Sequence, residues 1–498
     1  MQPRSLLRSA FLCVATLLTL VTQVSHADLL IEKVTVVSPE QAKPQLNRYV
    51  LVRDGRIAAI GDKRLTAPAG TARIDGRGKF LTPGLMDSHV HVSDAAGLPY
   101  ISSDPTIAEL RQAYFRQQPR SYLYFGVTQL LDPANLPEGI AAFEAQPRHP
   151  DLFRCGAAPA LDGYPTVFVE DKALRYRLMP YVFEPANAES HPLPAGENAN
   201  AHTPEAVVAQ IAASGARCVK LFIEDGFGDR SDWPILSVAT MKRIAAAAHQ
   251  RGLLVMAHAN ALDMQRIALA VPVDVLAHGL WNWNEWDDKP GVPAAIATHL
   301  QAVHRANIGY QPTFRVMYGT ADLFREDTLK DPAYAKVVPP AVLSWYATED
   351  GQWFKRQMRA DSKDASDMQM MHWQIQVADH GMRAARYLYD LGHPLLLGSD
   401  TPSAPTYGNQ PGYDTYREMR QMAQDGIPLA AVFQAATINN ARQFRLDKDY
   451  GTVAVGKVAN LLLLNANPLE TVRAWSLIDK VVLHGEVIER ETLRATAK

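Results

Sequence analysis

"ATMKRIAAAAHQRGLLVMAHA", residues 239–259, changes rhythm at its centre. An alanine-rich helical stretch stops at Gly252, and a short apolar strand follows and ends on His258. The same unit occurs just before it. "TPEAVVAQIAASG" starts on Thr203 and Pro204, which suit a helix N-terminus, stops near Gly215 and leads into "CVKLFI". Repeated helix-then-strand units predict a parallel sheet, open and doubly wound or closed into a barrel.

Working outward, about eight segments read as such strands: "LMDSHVH", "GVTQLLD", "LFRCGAAPA", "CVKLFIED", "LLVMAHA", "VDVLAHG", "IGYQPTF" and "PLLLGSD". That number favours a (β/α)8 barrel. Two long inserts interrupt the series, "PANAESHPLPAGENANA" after the third strand and a polar stretch from about Phe314 to Asp367 after the seventh. Binding function commonly sits on loops at this end of such strands.

Both ends of the chain have another texture. From Leu29 to about Phe80, short apolar runs alternate with turns such as Asp54-Gly55 and Asp75-Gly76, and similar material returns in "GTVAVGKVANLLLLN" and "IDKVVLHGEVIE". The termini are therefore expected to share one composite β domain, residues 28–80 with 446–498, flanking a barrel over 81–445. Ahead of it, Arg4 and Arg8 precede an apolar stretch from Ala10 to about Val21, and Ser25-His26-Ala27 offers small residues for cleavage after Ala27. This reads as a signal peptide over residues 1–27. The apolar run is shorter than the roughly 20 residues that span a bilayer, so no stable membrane anchor is expected after cleavage.

With 498 residues, a net charge of −2 and 47% hydrophobic residues, the chain can bury a large core and has no charge excess for nucleic acid. Cys13 would leave with the signal. Cys155 and Cys218 lie on apolar strands and are expected as buried free thiols.

Chemistry enters with "LTPGLMDSHVHV", residues 81–92. A strand alternates its faces, so His89 and His91 point the same way and can share a cation. Other apolar strands end comparably: Lys220 in "CVKLFI", His258 in "VMAHAN", His278 in "VLAHG" and Asp400 in "LLLGSD". Five strands that repeat this costly habit point to a metal site. A protonated Lys220 would repel a cation. It either forms a salt bridge with Glu224 or Asp225, or loses its proton on burial, takes up carbon dioxide and bridges two metals as a carbamate.

"PGLMDSHVHV", "GVTQLLD", "VKLFIEDG", "MAHAN", "LAHG" and "GSD", with the terminal "VGKVANLLLLNANP" and "VVLHG", resemble in order the amidohydrolase superfamily. The likeness is strongest to its binuclear branch, near imidazolonepropionase-like and Xaa-Pro or Xaa-Arg dipeptidases. The resemblance implies a distorted (β/α)8 barrel with a small β-sandwich built from both termini. It also implies two divalent metals, zinc by donor type. His89, His91 and Asp400 would hold one, His258 and His278 the other, with carboxylated Lys220 between them.

The implied reaction is hydrolysis of an amide or other carbon–nitrogen bond of a small molecule, dipeptide or N-acyl amino acid. A metal-bridged hydroxide would attack, with Asp400 as general base and then acid. The loop "GLWNWNEW" after His278 sets Trp281 and Trp283 as substrate contacts or as packing of the loop onto the barrel rim, and Tyr164 is a further contact candidate. Two alternatives stay open: a mononuclear cyclic-amide hydrolase or deaminase with unmodified Lys220, and a non-catalytic barrel scaffold. Association into a homo-oligomer is the general expectation for such a chain. The remaining histidines read as surface or satisfied positions.

Overall fold

The computed structural model describes residues 28–228, 230–403 and 405–496. The expected signal peptide lies outside the described residues. No described helix is long and apolar enough to cross a membrane.

Fifteen strands occur in the described residues. The first five are β1 Leu29–Val36, β2 Gln45–Arg53, β3 Arg56–Gly61, β4 Ala72–Asp75 and β5 Phe80–Pro83. The central ones are β6 Leu85–Asp87, β7 Val127–Asp132, β8 Asp151–Ala157, β9 Cys218–Phe222, β10 Leu254–His258, β11 Val275–Ala277 and β12 Gly309–Gln311. The last are β13 Leu461–Leu464, β14 Ile478–Leu483 and β15 Glu486–Glu489.

The helix-then-strand units form as read. Ser237 caps the helix Val238–Gln250 by accepting the Thr240 amide, and Gly252, at φ 71°, turns the chain into β10. Thr203 caps Pro204–Ala213 in the same way, and Gly215 (φ 79°) releases the chain toward β9. The seven central strands make one parallel sheet in the order β12-β11-β10-β9-β8-β7-β6.

The eighth segment, residues 395–401, is not a regular strand. It nonetheless pairs in parallel with β12 through Leu395 and Tyr310 and with the chain after β6 through Thr401 and Val90. The Leu396 amide donates to Tyr310 O (3.0 Å), Ser88 N to Leu397 O (3.0 Å) and Asp400 N to His89 O (2.8 Å). Asn440 ties the same seam, donating to Met86 O and Leu397 O at 2.8 Å. The two edges of the curled sheet are thus linked through 395–401.

Alternation sorts the strand side chains into two cores. Val219, Leu221, Val255 and Ala257 face the helices. Met86, Leu131, Cys155, Cys218, Leu254, Met256, Val275, Ala277 and Leu396 form a separate cluster on the inner face. Lys220 and His258 continue that inner face toward the carboxyl ends of their strands.

Free thiols are a point to correct. Cys155 and Cys218 are directly paired positions of β8 and β9, their Cα atoms 4.3 Å apart, and they form a disulfide. A separation of 63 residues hid this, because the register of two parallel strands is set by tertiary packing.

The two ends of the chain share one eight-stranded sheet, ordered β15-β14-β13-β5-β1-β2-β3 with β4 also on β1. Its own apolar cluster includes Leu29, Ile31, Val34, Val50, Leu461, Leu463 and Val482. The stretch 314–367, expected to be a polar insert, folds into short helices that bury Tyr334, Val338, Val342 and Tyr346.

Candidate metal centre

All six residues singled out in the sequence converge at the carboxyl ends of the central strands and are buried or half-buried. Their backbone placement differs from the expectation for all but Lys220 and His258, since β11 ends at Ala277, just before His278, and Asp400 lies in the irregular segment 395–401. The strand β6 ends at Asp87, so His89 and His91 are not strand residues. The irregular segment that carries them is held against 397–401 by the hydrogen bonds above and by His91 N donating to Thr401 O at 3.1 Å. Asp87, fully buried, secures both segments: His89 N (3.2 Å) and Ser399 N (2.9 Å) donate to Oδ1, and Thr415 Oγ1 donates to Oδ2 (2.6 Å).

Asp400 sits among three imidazoles. Its Oδ1 lies 2.9 Å from His91 Nε2 and 3.4 Å from His89 Nε2, and its Oδ2 is 3.3 Å from His278 Nδ1. Asp400 and His278 both adopt positive φ, 53° and 89°, a costly conformation for residues with a Cβ that the packing around them sustains. Potential ligand atoms of His89, His278 and Asp400 fall within 4.8 Å of one another. The His258 ring lies 4.6 Å from that of His278.

Neighbours fix the ring nitrogens. Gln311 Nε2 donates to Ser88 O (2.8 Å), which turns its Oε1 toward His89 Nδ1 (3.1 Å). Nδ1 of His89 then carries the proton, and the Nε2 lone pair faces the centre. Likewise His91 Nδ1 donates to Ala134 O (3.1 Å), directing Nε2 at Asp400. Gln311 and Asp132, which accepts the Val92 amide at 2.8 Å, were not found in the sequence. Their polarity on apolar strands was the only available signal.

Burial pushes His89 and His278 well below the usual imidazole range, so both are neutral donors. Burial acts on His91 in the same sense, but the hydrogen bond and charge of Asp400 outweigh it and raise His91 to about 9. Burial opposes the charge on Asp400, yet the surrounding imidazoles hold it well below the carboxylate range.

Lys220 Nζ is buried with no hydrogen-bond partner among the described residues, and burial brings it down to about 7. The salt bridge to Glu224 does not form, since Glu224 Oε2 lies instead 3.2 Å from His258 Nε2. An orphaned amine beside the neutral imidazoles of His89 and His278 and one carboxylate is a nitrogen and oxygen donor set that fits a divalent cation.

Of the proposed substrate contacts, Tyr164 reaches the centre, its ring 4.6 Å from that of His258. Trp281 lies 5.2 Å from His278 and donates to Pro312 O. Trp283 does not contact the site. It is fully buried, donates to Leu280 O and stacks on His380, so the packing alternative holds for it.

With this geometry in hand, the resemblance to the amidohydrolase superfamily is borne out. The amidohydrolase family model matches residues 348–488. A dihydroorotase of Citrifermentans bemidjiense is 44% identical over 73 residues, 15% of this chain and 16% of that protein. An enamidase of Eubacterium barkeri is 48% identical over 60 residues, 12% of this chain and 16% of that protein. The chain therefore matches only a small part of the length of these curated relatives.

Solved structures extend the likeness of fold to nearly the whole chain. A Xaa-Pro dipeptidase with bound methionine superposes over 93% of this chain and 100% of its own, at 17% identity and a TM-score of 0.63. The A. niger ochratoxinase superposes over 93% and 96%, also at 17% identity and 0.63.

Proposed function

We propose that this chain is an exported, metal-dependent hydrolase that cleaves an amide or related carbon–nitrogen bond of a small molecule of the dipeptide or N-acyl amino acid type. The observation that carries the reading is the convergence of His89, His91, His258, His278 and Asp400, from four separate segments, around the buried Lys220 amine, which has no hydrogen-bond partner among the described residues. A closed, distorted (β/α)8 barrel with 395–401 as its eighth strand, and a terminal β-sandwich, is the architecture that best accommodates the linked sheet edges.

His89, His91 and Asp400 would hold one cation, and His258 and His278 a second, with Lys220 as its carbamate between them. Divalent cations in such a site polarise a carbonyl and lower the pKa of water. The protein's own groups do the rest. Gln311 keeps His89 in the tautomer that leaves Nε2 free, and Ala134 O holds His91 Nδ1 so that its Nε2 is directed at Asp400. Asp400, held ionised, is placed to take the proton of an attacking water and pass it to the leaving nitrogen.

The compactness of His89, His278 and Asp400 supports a second reading, a single ion with unmodified Lys220. Export rests on the N-terminal pattern and is supported by the Cys155–Cys218 disulfide, since such bonds persist in oxidising compartments.

The test is release of free amine by zinc-replete protein from a panel of Xaa-Pro dipeptides, N-acyl amino acids and cyclic amides. Turnover that Asp400→Asn reduces by about 10³ or more is expected, as for loss of an essential proton carrier acting with its electrostatic setting. Metal-loaded protein inert toward every member of the panel would overturn the reading. For export, the mature chain should begin at Asp28.

A further inference from the structure

Beside the metal centre, two loops from adjacent strands bring aromatic residues together that are far apart in the sequence. Tyr164 and Phe168 follow β8, and Phe227 and Trp233 follow β9. The Tyr164 ring rests on His258 and meets Phe168 (5.9 Å), Phe227 (5.4 Å) and Trp233 (5.9 Å, nearly parallel). Phe168 and Phe227 stack at 6.4 Å and each sets an edge against Trp233, at 5.3 and 5.2 Å. The result is a continuous aromatic surface running outward from a candidate ligand imidazole.

Its outer and inner ends differ. Phe168 is 62% exposed and Phe227 45% exposed, whereas Trp233 is buried and its indole N–H has no partner among the described residues. A clamp that merely fastened one loop to the other would hide its own rings. Here two large rings stay wet at the mouth of a polar site, an arrangement that costs free energy until an apolar group covers them. Arg230, whose guanidinium lies 6.0 Å over the Trp233 ring, is engaged through Nε with Asp232 at 2.8 Å. Flat, quadrupolar ring faces suit another ring best.

We propose that Tyr164, Phe168, Phe227 and Trp233 form a subsite for an aromatic group on the substrate, so that the enzyme selects aryl-bearing amides over small ones. This rests on the hydrolytic reading above and specifies its substrate class. The wall is the continuation of the site itself, through the contact of Tyr164 with His258.

Two measurements separate a failure of this inference from a failure of that reading. The first compares kcat/KM for 3-phenylpropanoyl-glycine with acetyl-glycine and for glycyl-phenylalanine with glycyl-alanine. The aryl member of at least one pair should be preferred about tenfold, through KM, as expected for a ring buried on aromatic surface. Phe168→Ala/Phe227→Ala should reduce the preference to about twofold or less. Equal kcat/KM in both pairs, or a preference that survives the double substitution, overturns the proposal.

The second measurement needs no turnover. Binding of 3-phenylpropanoate and of propanoate to the full chain is followed by tryptophan fluorescence. Affinity about tenfold tighter for the aryl acid, lost in the double variant, supports the subsite even where hydrolysis is absent. Equal affinities overturn it. Both rings are at the surface, so an unaltered melting curve of the variant confirms that the fold is intact.

Discussion

Asp87 is the residue whose removal separates positioning from ligation most cleanly. Its carboxylate hydrogen-bonds no candidate ligand side chain among the described residues, but it ties the His89 amide to the Ser399 amide, just before Asp400. Asp87→Ala strands three buried donors, the amides of His89 and Ser399 and the hydroxyl of Thr415, at about 1–3 kcal/mol each. Burial raises the Asp87 carboxyl from 3.8 to about 6. Keeping it ionised at pH 7 therefore costs about 3 kcal/mol, which the substitution relieves. At about 2 kcal/mol per stranded donor, the net loss for alanine is about 3 kcal/mol.

Asp87→Asn keeps an oxygen for the two amides and needs only a rotation of the Thr415 hydroxyl. Weaker neutral hydrogen bonds and relief of the buried charge then roughly cancel, leaving the variant within about 1 kcal/mol of wild type. Urea unfolding of the metal-free proteins at pH 7 measures both. Alanine and asparagine variants of equal stability, within about 0.5 kcal/mol, would refute the claim that Asp87 fastens the two segments.

Two further outcomes follow from groups away from the centre. His299 is buried on Gln265 (2.9 Å) and burial lowers it from 6.5 to about 4, so its contribution is present above pH 6.5 and is lost as pH falls through about 4. Between pH 7.5 and pH 5 the wild type should lose about 2 kcal/mol more than His299→Gln in urea titrations, and equal losses would count against a buried neutral imidazole. The Cys155–Cys218 bond closes a loop with a separation of 63 residues, so Cys155→Ala/Cys218→Ala should lower stability by about 2–4 kcal/mol. Peptide mapping of unreduced protein that finds both cysteines free would show that the bond does not form.

The sequence carried the fold where local signals repeat. Helices capped by Thr203 and Ser237 and stopped by Gly215 and Gly252 feed β9 and β10, and a polar residue interrupts each apolar run at the site. What stayed hidden depends on register and on distance along the chain. The alternation rule brought His89 and His91 together for the wrong local reason, since the strand ends at Asp87 and pairing with 397–401 does the work.

The disulfide required the β8–β9 register, and the tryptophan-rich loop after His278 drew attention because its aromatics are consecutive. Trp283 from that loop is core, while Phe168, Phe227 and Trp233, scattered over two loops, form the exposed wall. Gln311 and Asp132 act through hydrogen bonds to the site that no spacing along one strand reveals.

Lys220, buried and without a hydrogen-bond partner among the described residues, is proposed here as part of a two-metal centre. Metal content per chain, measured by elemental analysis on protein purified with zinc and bicarbonate, tests it in wild type and Lys220→Ala. Two zinc ions are expected in the wild type and one or none in the variant. One ion in both proteins would contradict a bridging Lys220 and leave the single-ion site of His89, His278 and Asp400.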